Sequence, residues 1–256
     1  MRVKICGCSG GETPETSLTG FVIDDTLALD AGSLCKALTL EEQCALDNVL
    51  ITHTHLDHIK DLAFLADNII GIKKTPLHIW GAEPVIRVLR EHFMNDRIWP
   101  DFTKIPTADN PTLVYHQIEP EKPFEVAGYK VLAVPTKHPV PNTGYIVSNA
   151  TGAFCFTGDT GVTERIWEVL NQTPKVLGLI TEVSFPNMMT DLANLSGHLT
   201  PKMLFEQMGR LKNRNYTVYL SHNKPNFREL LHKEVAETGL QDYYFLTRGE
   251  LLDLAP

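Results

Sequence analysis

The segment that most constrains this chain is residues 52–61, which read THTHLDHIKD. It follows a short apolar run at residues 49–51, typical of a buried strand. Crowding polar groups at the end of a buried strand brings no packing benefit, and each group would need a partner. Imidazole nitrogens and carboxylate oxygens are ligands that zinc, manganese and iron accept. The segment therefore predicts a metal site, against the alternative of a polar loop that caps the next helix.

The spacing of these candidate ligands indicates two neighbouring binding points. His53 and His55 lie two residues apart in a predicted extended turn, so their rings can face the same point. Asp57 and His58 lie where a helix is predicted to begin, and they can face a second point nearby.

Length and pattern predict one α/β unit that covers residues 1–256. The chain has 256 residues and 43% hydrophobic content, enough for a sizeable core. Strand-like runs alternate with helical periodicity: residues 59–70 and 83–94 have helical spacing, whereas residues 77–80 and 112–118 resemble strands. Thr200 and Pro201 predict a helix start, and Asn226 to Glu229 resembles a capping box before a last helix. No linker or repeat divides the chain.

Charge and composition narrow the partners. The net charge is −8, and no run of lysine and arginine resembles a nucleic-acid arm, so a small anion is favoured over a polynucleotide. The sequence shows neither a signal peptide nor a membrane span, which predicts a cytoplasmic protein without a membrane partner. Five cysteines without a framework pattern predict free thiols. The oligomeric state is left open, a homodimer included.

The motif H-x-H-x-D-H at residues 53–58 resembles the signature of the metallo-β-lactamase superfamily. Three further ligands that this resemblance implies follow strand-like runs in the expected order: His138, Asp159 and His222. Leu29-Asp30-Ala31-Gly32 is similar to the element that precedes the metal motif, so Asp30 either supports the ligands or shapes a turn. The resemblance implies an αββα sandwich, with two mixed sheets flanked by helices.

The same resemblance implies two divalent transition-metal ions, with zinc favoured by the histidine-rich set and manganese or iron as alternatives. One ion would be held by His53, His55 and His138. The other would be held by Asp57, His58 and His222. Asp159 would bridge them, and Asp57 would also accept a proton from the attacking water.

The last third of the chain resembles the class II cyclic-nucleotide phosphodiesterase branch, through T-E-V-S-F-P-N, S-G-H-L-T-P and S-H-N-K-P. It is also similar to the tRNA 3′-processing nuclease branch, in which a glutamate and a histidine occupy the positions of Glu182 and His198. These two residues are expected to be catalytic, with His198 protonating the leaving oxygen and Glu182 orienting it. The expected reaction opens cAMP or cGMP to the 5′-monophosphate.

Four residues are candidates for substrate contact. Trp99 and Phe102 lie in an irregular aromatic segment and either line a cleft where a base stacks or anchor the loop on the core. Lys224 either binds phosphate or is solvated, and Asn223 stands where the phosphodiesterase branch has leucine.

Three alternatives use the same candidate ligands. One is another phosphodiesterase or an arylsulfatase of the same fold, and another is a tRNA-processing nuclease, which would need a basic exosite or arm. A metal-binding module without catalysis would be expected to lack a ligand or the pair formed by His198 and Glu182, and the sequence keeps them all.

Overall fold

The computed structural model describes residues 1–212 and 214–254, so residues 213, 255 and 256 of the predicted 1–256 domain lie outside this description. In the described part of the chain, the strands are β1 (Arg2–Gly7), β2 (Gly20–Ile23), β3 (Leu27–Leu29), β4 (Asn48–Leu50), β5 (Leu77–Ala82), β6 (Pro106–Thr107), β7 (Asn110–Pro111), β8 (Leu113–Ile118), β9 (Phe124–Val126), β10 (Tyr129–Pro135), β11 (Thr143–Asn149), β12 (Gly152–Phe156), β13 (Val176–Glu182), β14 (Thr217–Ser221), β15 (Tyr243–Phe245) and β16 (Leu251–Asp253).

The helices alternate with these strands through most of the chain. They are α1 (Leu34–Ala37), α2 (Leu40–Ala45), α3 (Leu56–Ile69), α4 (Glu83–Val88), α5 (Arg165–Gln172), α6 (Thr190–Ser196), α7 (Pro201–Met208) and α8 (Arg228–Glu237). A π-helical turn at Leu89–Phe93 extends α4, and 3₁₀ turns occupy Asn187–Met189 and Pro225–Phe227.

Two mixed sheets form the centre of the fold. Among the described residues, the first has the order β16-β1-β2-β3-β4-β5-β8 and the second has the order β15-β14-β13-β12-β11-β10-β9. In the first sheet, β3, β4, β5 and β8 are parallel neighbours, and in the second, β12 to β15 are. The carboxyl ends of parallel strands share one edge of a sheet, where loops can bring side chains together.

The inner faces of the two sheets pack against each other. Phe21 of β2 meets Phe156 of β12 edge to face, with ring centroids 5.1 Å apart. Strand β4 is buried on both faces. Val49 packs with the helices outside the first sheet, and Leu50 packs between the two sheets. A strand buried on both faces reads as a continuous apolar run, which is what the sequence shows before the metal motif.

Helices cover the outer faces of both sheets. Ile59, Leu62 and Ile69 of α3 pack on the first sheet, and Trp167 of α5 and Leu204 of α7 pack on the second. Apolar residues spaced by three, four and seven positions lie on one side of a helix, so each helix buries one face and leaves the other in water. The predicted αββα architecture is therefore confirmed.

Helix starts were predicted with mixed success. Thr200 caps α7 as expected, with its side chain accepting from the Met203 N–H. The capping box predicted at Asn226 is wrong, because a 3₁₀ turn precedes α8, whose start at Arg228 has no side-chain cap. Helices α1, α2 and α6 and the edge strands β15 and β16 were missed. For α2 a signal existed, since Thr39 and Glu42 form a capping box.

The segment between the π-helical turn that follows α4 and strand β8 is irregular as predicted, apart from the short strand pair β6 and β7. Among the helices of the described residues, none is both long and apolar enough to cross a membrane.

Candidate metal centre and active site

Seven candidate ligands converge at the edge where the two sheets meet. The loops that carry them follow β4 in the first sheet and β10, β12 and β14 in the second. The fold therefore brings together residues that are as much as 169 positions apart in the sequence, on loops that follow buried strands. The seven residues are His53, His55, Asp57, His58, His138, Asp159 and His222.

The first group that could hold a metal ion combines three histidines with one carboxylate. His53, His55, His138 and Asp159 each offer a ligand atom within 4.8 Å of the others. His138 Nε2 lies 3.1 Å from His55 Nδ1, and His53 Nε2 lies 3.8 Å from Asp159 Oδ2. Ligand atoms that lie this close together and face one point could all coordinate a single cation.

The second group shares Asp159 with the first. It consists of Asp57, His58, Asp159 and His222, again within 4.8 Å of one another. His222 Nε2 lies 3.2 Å from oxygens of both Asp57 and Asp159, and His58 Nε2 lies 3.3 Å from Asp159 Oδ1. Asp159 therefore belongs to both groups.

Two orphaned nitrogen atoms show that this chemistry fits a metal. His53 Nε2 and His58 Nε2 are buried, and neither makes a hydrogen bond within the described residues. A buried polar atom without a partner costs free energy unless something outside the chain satisfies it. Both atoms are ligand atoms of the two groups, so divalent cations would supply the missing partners.

The charge states of three ligand histidines and of the shared carboxylate also suit cations. Burial lowers the pKa of His53, His55 and His138, which keeps these imidazoles neutral with lone pairs available. Burial alone would raise the pKa of Asp159, but the nearby His222 and His58 outweigh it and hold that pKa well below its usual range. Asp159 is therefore an ionised carboxylate in a nearly dry site.

Each of four ligand histidines is oriented through its second ring nitrogen, which fixes which nitrogen faces the centre. His58 Nδ1 lies 2.7 Å from Asp30 Oδ2, and His53 Nδ1 lies 3.0 Å from the Thr52 hydroxyl, which itself donates to Asp30. Asp30 therefore supports the ligands, one of the two roles expected for it. The remaining contacts are His138 Nδ1 to the Gly197 carbonyl oxygen at 3.0 Å and His222 Nδ1 to Ser184 Oγ at 2.9 Å.

The backbone of the candidate ligand His222 has an uncommon conformation. Its φ is +59°, in the left-handed region that side chains with a Cβ adopt rarely. Its N–H donates to the Cys8 carbonyl oxygen at 2.6 Å. A Cβ added at Gly10 would lie 2.7 Å from His222 Cε1, so only glycine lets the first turn of the chain pass this closely. The glycine-rich first turn thus forms one wall of the centre.

A hydrogen-bonded pair of His198 and Glu182 lies beside the second group. His198 Nδ1 is 2.8 Å from Glu182 Oε1, and Glu182 is 1% exposed. Burial alone would lower the pKa of His198, but the Glu182 carboxylate outweighs it and raises that pKa. The ring of His198 stacks on that of His222 with centroids 5.1 Å apart. An imidazole whose pKa is raised by a carboxylate is therefore held next to the candidate metal ligands.

Glu182, His198 and His222 also lie close enough together to be considered as a third metal group. Their facing atoms, however, already bond to one another or to Ser184, whose Oγ lies 2.5 Å from Glu182 Oε2. We therefore assign this group to a hydrogen-bond network. Nor do any of the described cysteines join a candidate metal group; Cys6 and Cys8 are free thiols, and burial raises the pKa of each to about 12.

The two aromatic residues predicted to contact substrate both pack on the core of the first sheet. Phe102 is 2% exposed and belongs to the core under the first sheet. Trp99 packs on the same core and donates its indole N–H to the Ala63 carbonyl oxygen at 3.0 Å. The buried ring of Phe102 is a correction to its predicted contact with substrate, whereas Trp99 is half-buried and its contact with substrate stays a prediction.

The two polar candidates hold loops of the centre together. Asn223 is 9% exposed and donates its side-chain N–H to the Val183 carbonyl oxygen at 2.8 Å, so its amide is occupied inside the protein. This is a correction to its predicted role in substrate contact. Lys224 donates to the Gly10 carbonyl oxygen at 2.7 Å, and its ammonium also lies 5.9 Å from the Phe185 ring centroid. The Phe185 ring centroid lies 5.7 Å from that of His198, so one aromatic ring separates Lys224 from the candidate acid.

A cavity of about 800 Å³ adjoins the first ligand group at His138. It lies between the ends of β5 and β8 in the first sheet and the loop from β10 to β11 in the second. Prolines form much of the wall. Its lining includes Glu83 and Glu119 but neither lysine nor arginine among the described residues; the main lining residues are Ala82, Glu83, Pro84, Gln117, Ile118, Glu119, Pro135, His138, Val140 and Pro141.

Sequence reasoning missed Ser184, Thr160 and Gly197, which orient the candidate site residues by hydrogen bonds. The signal for Ser184 was present, since it lies two residues after Glu182 at the end of a predicted strand. The carbonyl oxygen of Gly197 carries no side-chain signal, so the sequence alone could not indicate that contact.

Comparison with known families gives an extended match. The family described as "Beta-lactamase superfamily domain" matches residues 28–222 of this chain. That range begins before the H-x-H-x-D-H motif and ends at the last candidate ligand.

Curated relatives have phosphodiesterase and nuclease names. A probable 3′,5′-cyclic-nucleotide phosphodiesterase of Yersinia pestis is 27% identical, over 90% of this chain and 80% of that protein. The 3′,5′-cyclic-nucleotide phosphodiesterase 1 of Saccharomyces cerevisiae is 30% identical, over 63% of this chain but only 49% of that protein. Ribonuclease Z of Metallosphaera sedula is 26% identical, over 57% of this chain and 48% of that protein.

A solved structure agrees with the fold. Unliganded yeast PDE1 superimposes with a TM-score of 0.82 at 20% identity, and the match covers 98% of both chains. At this identity the likeness concerns the fold. Together with the curated relatives, it confirms the resemblance that the sequence motifs indicated.

The place of Asp159 in both groups predicts that its carboxylate is needed for metal binding at each of them. Asp159→Ala should lower the bound divalent metal from about two ions to less than one per chain, because each group loses an oxygen ligand. Chelation of the wild type should also lower its melting temperature, since an ion that binds only the folded state stabilises it. Metal content by mass spectrometry and thermal denaturation measure both effects.

The matched control is Asp67→Ala, which removes an exposed carboxylate on α3 away from the centre. It should keep both ions. Loss of exactly one ion in Asp159→Ala, with the other bound at wild-type affinity, would contradict a bridging role.

Proposed function

The chain belongs to the metallo-β-lactamase superfamily, and on that premise we propose that it hydrolyses nucleoside 3′,5′-cyclic monophosphates to 5′-monophosphates. The observation that carries the proposal is His198, which bonds to the Glu182 carboxylate at 2.8 Å and stacks on the ring of the candidate ligand His222. The relatives with cyclic-nucleotide phosphodiesterase names support the same reaction. Fold alone does not select the chemistry, so the argument depends on the site.

The superfamily fold implies divalent metal ions, and the two ligand groups suit them. We propose that His53, His55 and His138 hold one ion, and that Asp57, His58 and His222 hold the other. Asp159 faces both. Bound ions of this kind polarise phosphoryl oxygens and lower the pKa of water. Zinc matches the histidine-rich donors best, with manganese and iron as the alternatives.

The departing ribose oxygen explains why His198 is needed. An alkoxide is a poor leaving group, so its departure is faster when a positioned acid supplies a proton. With Nδ1–H bound to Glu182, His198 would deliver that proton from Nε2. Glu182 fixes the plane of the ring, and its charge raises the pKa of His198, which favours the protonated form. Asp57, whose side chain is 25% exposed, is the ligand carboxylate that water reaches, and we propose that it accepts the water's proton.

The size and charge of the adjoining cavity support a mononucleoside substrate. A volume of about 800 Å³ accommodates a nucleoside next to a phosphate at the ligand groups. Glu83 and Glu119 in its walls would repel further phosphates, and the chain as a whole carries a charge of −8. Lys224 is the cation we propose for the phosphate, since its ammonium lies 5.9 Å from the Phe185 ring, which packs beside His198. We therefore favour a cyclic mononucleotide over RNA.

Substrate choice is tested by comparing cAMP, cGMP, an aryl phosphodiester, an aryl sulfate and precursor tRNA on the metal-loaded protein. Cyclic mononucleotides should have the highest kcat/KM. Activity should vary little with salt, because few phosphates are contacted at once. Preferred cleavage of precursor tRNA with steep salt dependence would assign the protein to the nuclease alternative, and preferred aryl sulfate would assign it to the sulfatases.

The general acid is tested with His198→Ala. This change should lower kcat on a cyclic nucleotide by about 10²–10⁴-fold, the usual contribution of a positioned acid. The loss should shrink with a p-nitrophenyl diester, because that leaving group departs without a proton. Metal content should stay near that of the wild type.

His92→Ala is the control, since His92 is exposed and lies on the π-helical turn away from the centre. It should have wild-type kinetics with both substrates. Equal losses on both substrates in His198→Ala, with metals retained, would instead make His198 a phosphate-binding residue.

The cavity is tested with Val140→Trp, which fills space beside His138. KM for a cyclic nucleotide should rise by about tenfold or more, since steric discrimination in a pocket is of this size. Hydrolysis of the smaller methyl p-nitrophenyl phosphate should change little. Leu40→Trp, on the exposed side of α2, is the control for adding an indole. An unchanged KM in Val140→Trp would show that the nucleoside lies elsewhere.

A further inference from the structure

Ser184 is buried between Glu182 and His222, at the point where two candidate functional groups meet. Its side chain is inaccessible to solvent, and its Oγ lies 2.5 Å from Glu182 Oε2 and 2.9 Å from His222 Nδ1. We propose that Ser184 is a positioning residue, through which the carboxylate that orients His198 also orients the ligand His222. This inference depends on the proposed metal site.

Hydrogen-bond directions follow from the number of protons. The serine hydroxyl has one proton and two acceptor positions. Its contact with Glu182 is shorter than its contact with the His222 carbonyl oxygen, 2.5 Å against 3.1 Å, and a bond to a carboxylate is the stronger. The proton of Ser184 therefore goes to Glu182, and its oxygen accepts from His222 Nδ1–H. This leaves the lone pair of His222 on Nε2, the atom that faces Asp57 and Asp159.

Glu182 is fully occupied by this arrangement. Its Oε1 accepts from His198 Nδ1 at 2.8 Å and from the Thr160 N–H at 2.7 Å. Its Oε2 accepts from Ser184 Oγ and from the Leu199 N–H at 3.2 Å. Oε1 of Glu182 thus contacts the candidate acid His198, and Oε2 reaches the ligand His222 through Ser184. Without the hydroxyl, His222 Nδ1 would face a buried gap, and its other tautomer would compete.

His222 is supported by a carboxylate through a hydroxyl group, as His53 is through Thr52. Asp30 bonds directly to His58, whereas the hydroxyl of Ser184 stands between Glu182 and His222. The left-handed backbone of His222 and the close approach of Gly10 leave its ring little room to find another partner. Partners of metal-bound histidines change metal affinity by about 10–100-fold when they are removed.

The test titrates metal-free protein with zinc and measures both binding steps by calorimetry. Ser184→Ala should lower the affinity for one of the two zinc ions by about 10–100-fold and leave the affinity for the other at the wild-type value. Ser184→Thr, which keeps the hydroxyl, should restore most of the affinity. Ser221→Ala is the matched control, since Ser221 is buried next to His222 but its hydroxyl contacts the Thr181 carbonyl oxygen instead. It should bind both ions like the wild type.

A second measurement needs no variant. Nitrogen-15 NMR of the zinc-loaded wild type should show His222 protonated at Nδ1. Protonation at Nε2, wild-type affinity for both ions in Ser184→Ala, or equal weakening in Ser221→Ala would each overturn the inference. None of these readouts uses a substrate, so a protein that binds two ions through this network but hydrolyses no cyclic nucleotide would refute the proposed function alone.

Discussion

Two buried carboxylates, Asp30 and Glu182, orient four imidazoles of the candidate site, those of His53, His58, His198 and His222. Asp30 follows the last residue of β3 in the first sheet and orients His58 directly and His53 through Thr52. Glu182 ends β13 in the second sheet and orients His198. Each sheet therefore contributes one anionic anchor to the centre. The candidate ligand groups and the proposed acid have their geometry because these anchors fix the ring nitrogens that point away from the centre.

Such anchors are costly in a dry interior, so the fold surrounds them with donors. A buried carboxylate is destabilising unless hydrogen bonds and nearby positive groups replace its lost water. Glu182 receives the backbone N–H groups of Thr160 and Leu199, and Asp30 receives that of Thr52. These donors lie in loops at the strand ends. The loops that these hydrogen bonds hold form the walls of the site. The same contacts therefore stabilise the loops and position the site residues.

The sequence predicted the sheets and the local metal motif because both depend on short-range pattern. Alternation and apolar runs define strands, and His53, His55, Asp57 and His58 lie within six residues. The residues His138, Asp159 and His222 came only from the family resemblance, since spacing over many residues does not report distance in space. Phe102 was misassigned because an aromatic residue in an irregular segment looks the same whether it lines a cleft or fills a core. Ser184 was missed because its role appears only when β13 and β14 are neighbours.

The central claim is that this site opens the cyclic phosphodiester with water at the side of the ribose 3′-oxygen. The most direct measurement is turnover of cAMP by the metal-loaded protein in ¹⁸O-labelled water, with the product identified by ³¹P NMR and mass spectrometry. The account predicts the 5′-monophosphate with one ¹⁸O atom in its phosphate. Formation of the 3′-monophosphate, or no turnover by protein that contains both ions, would contradict it.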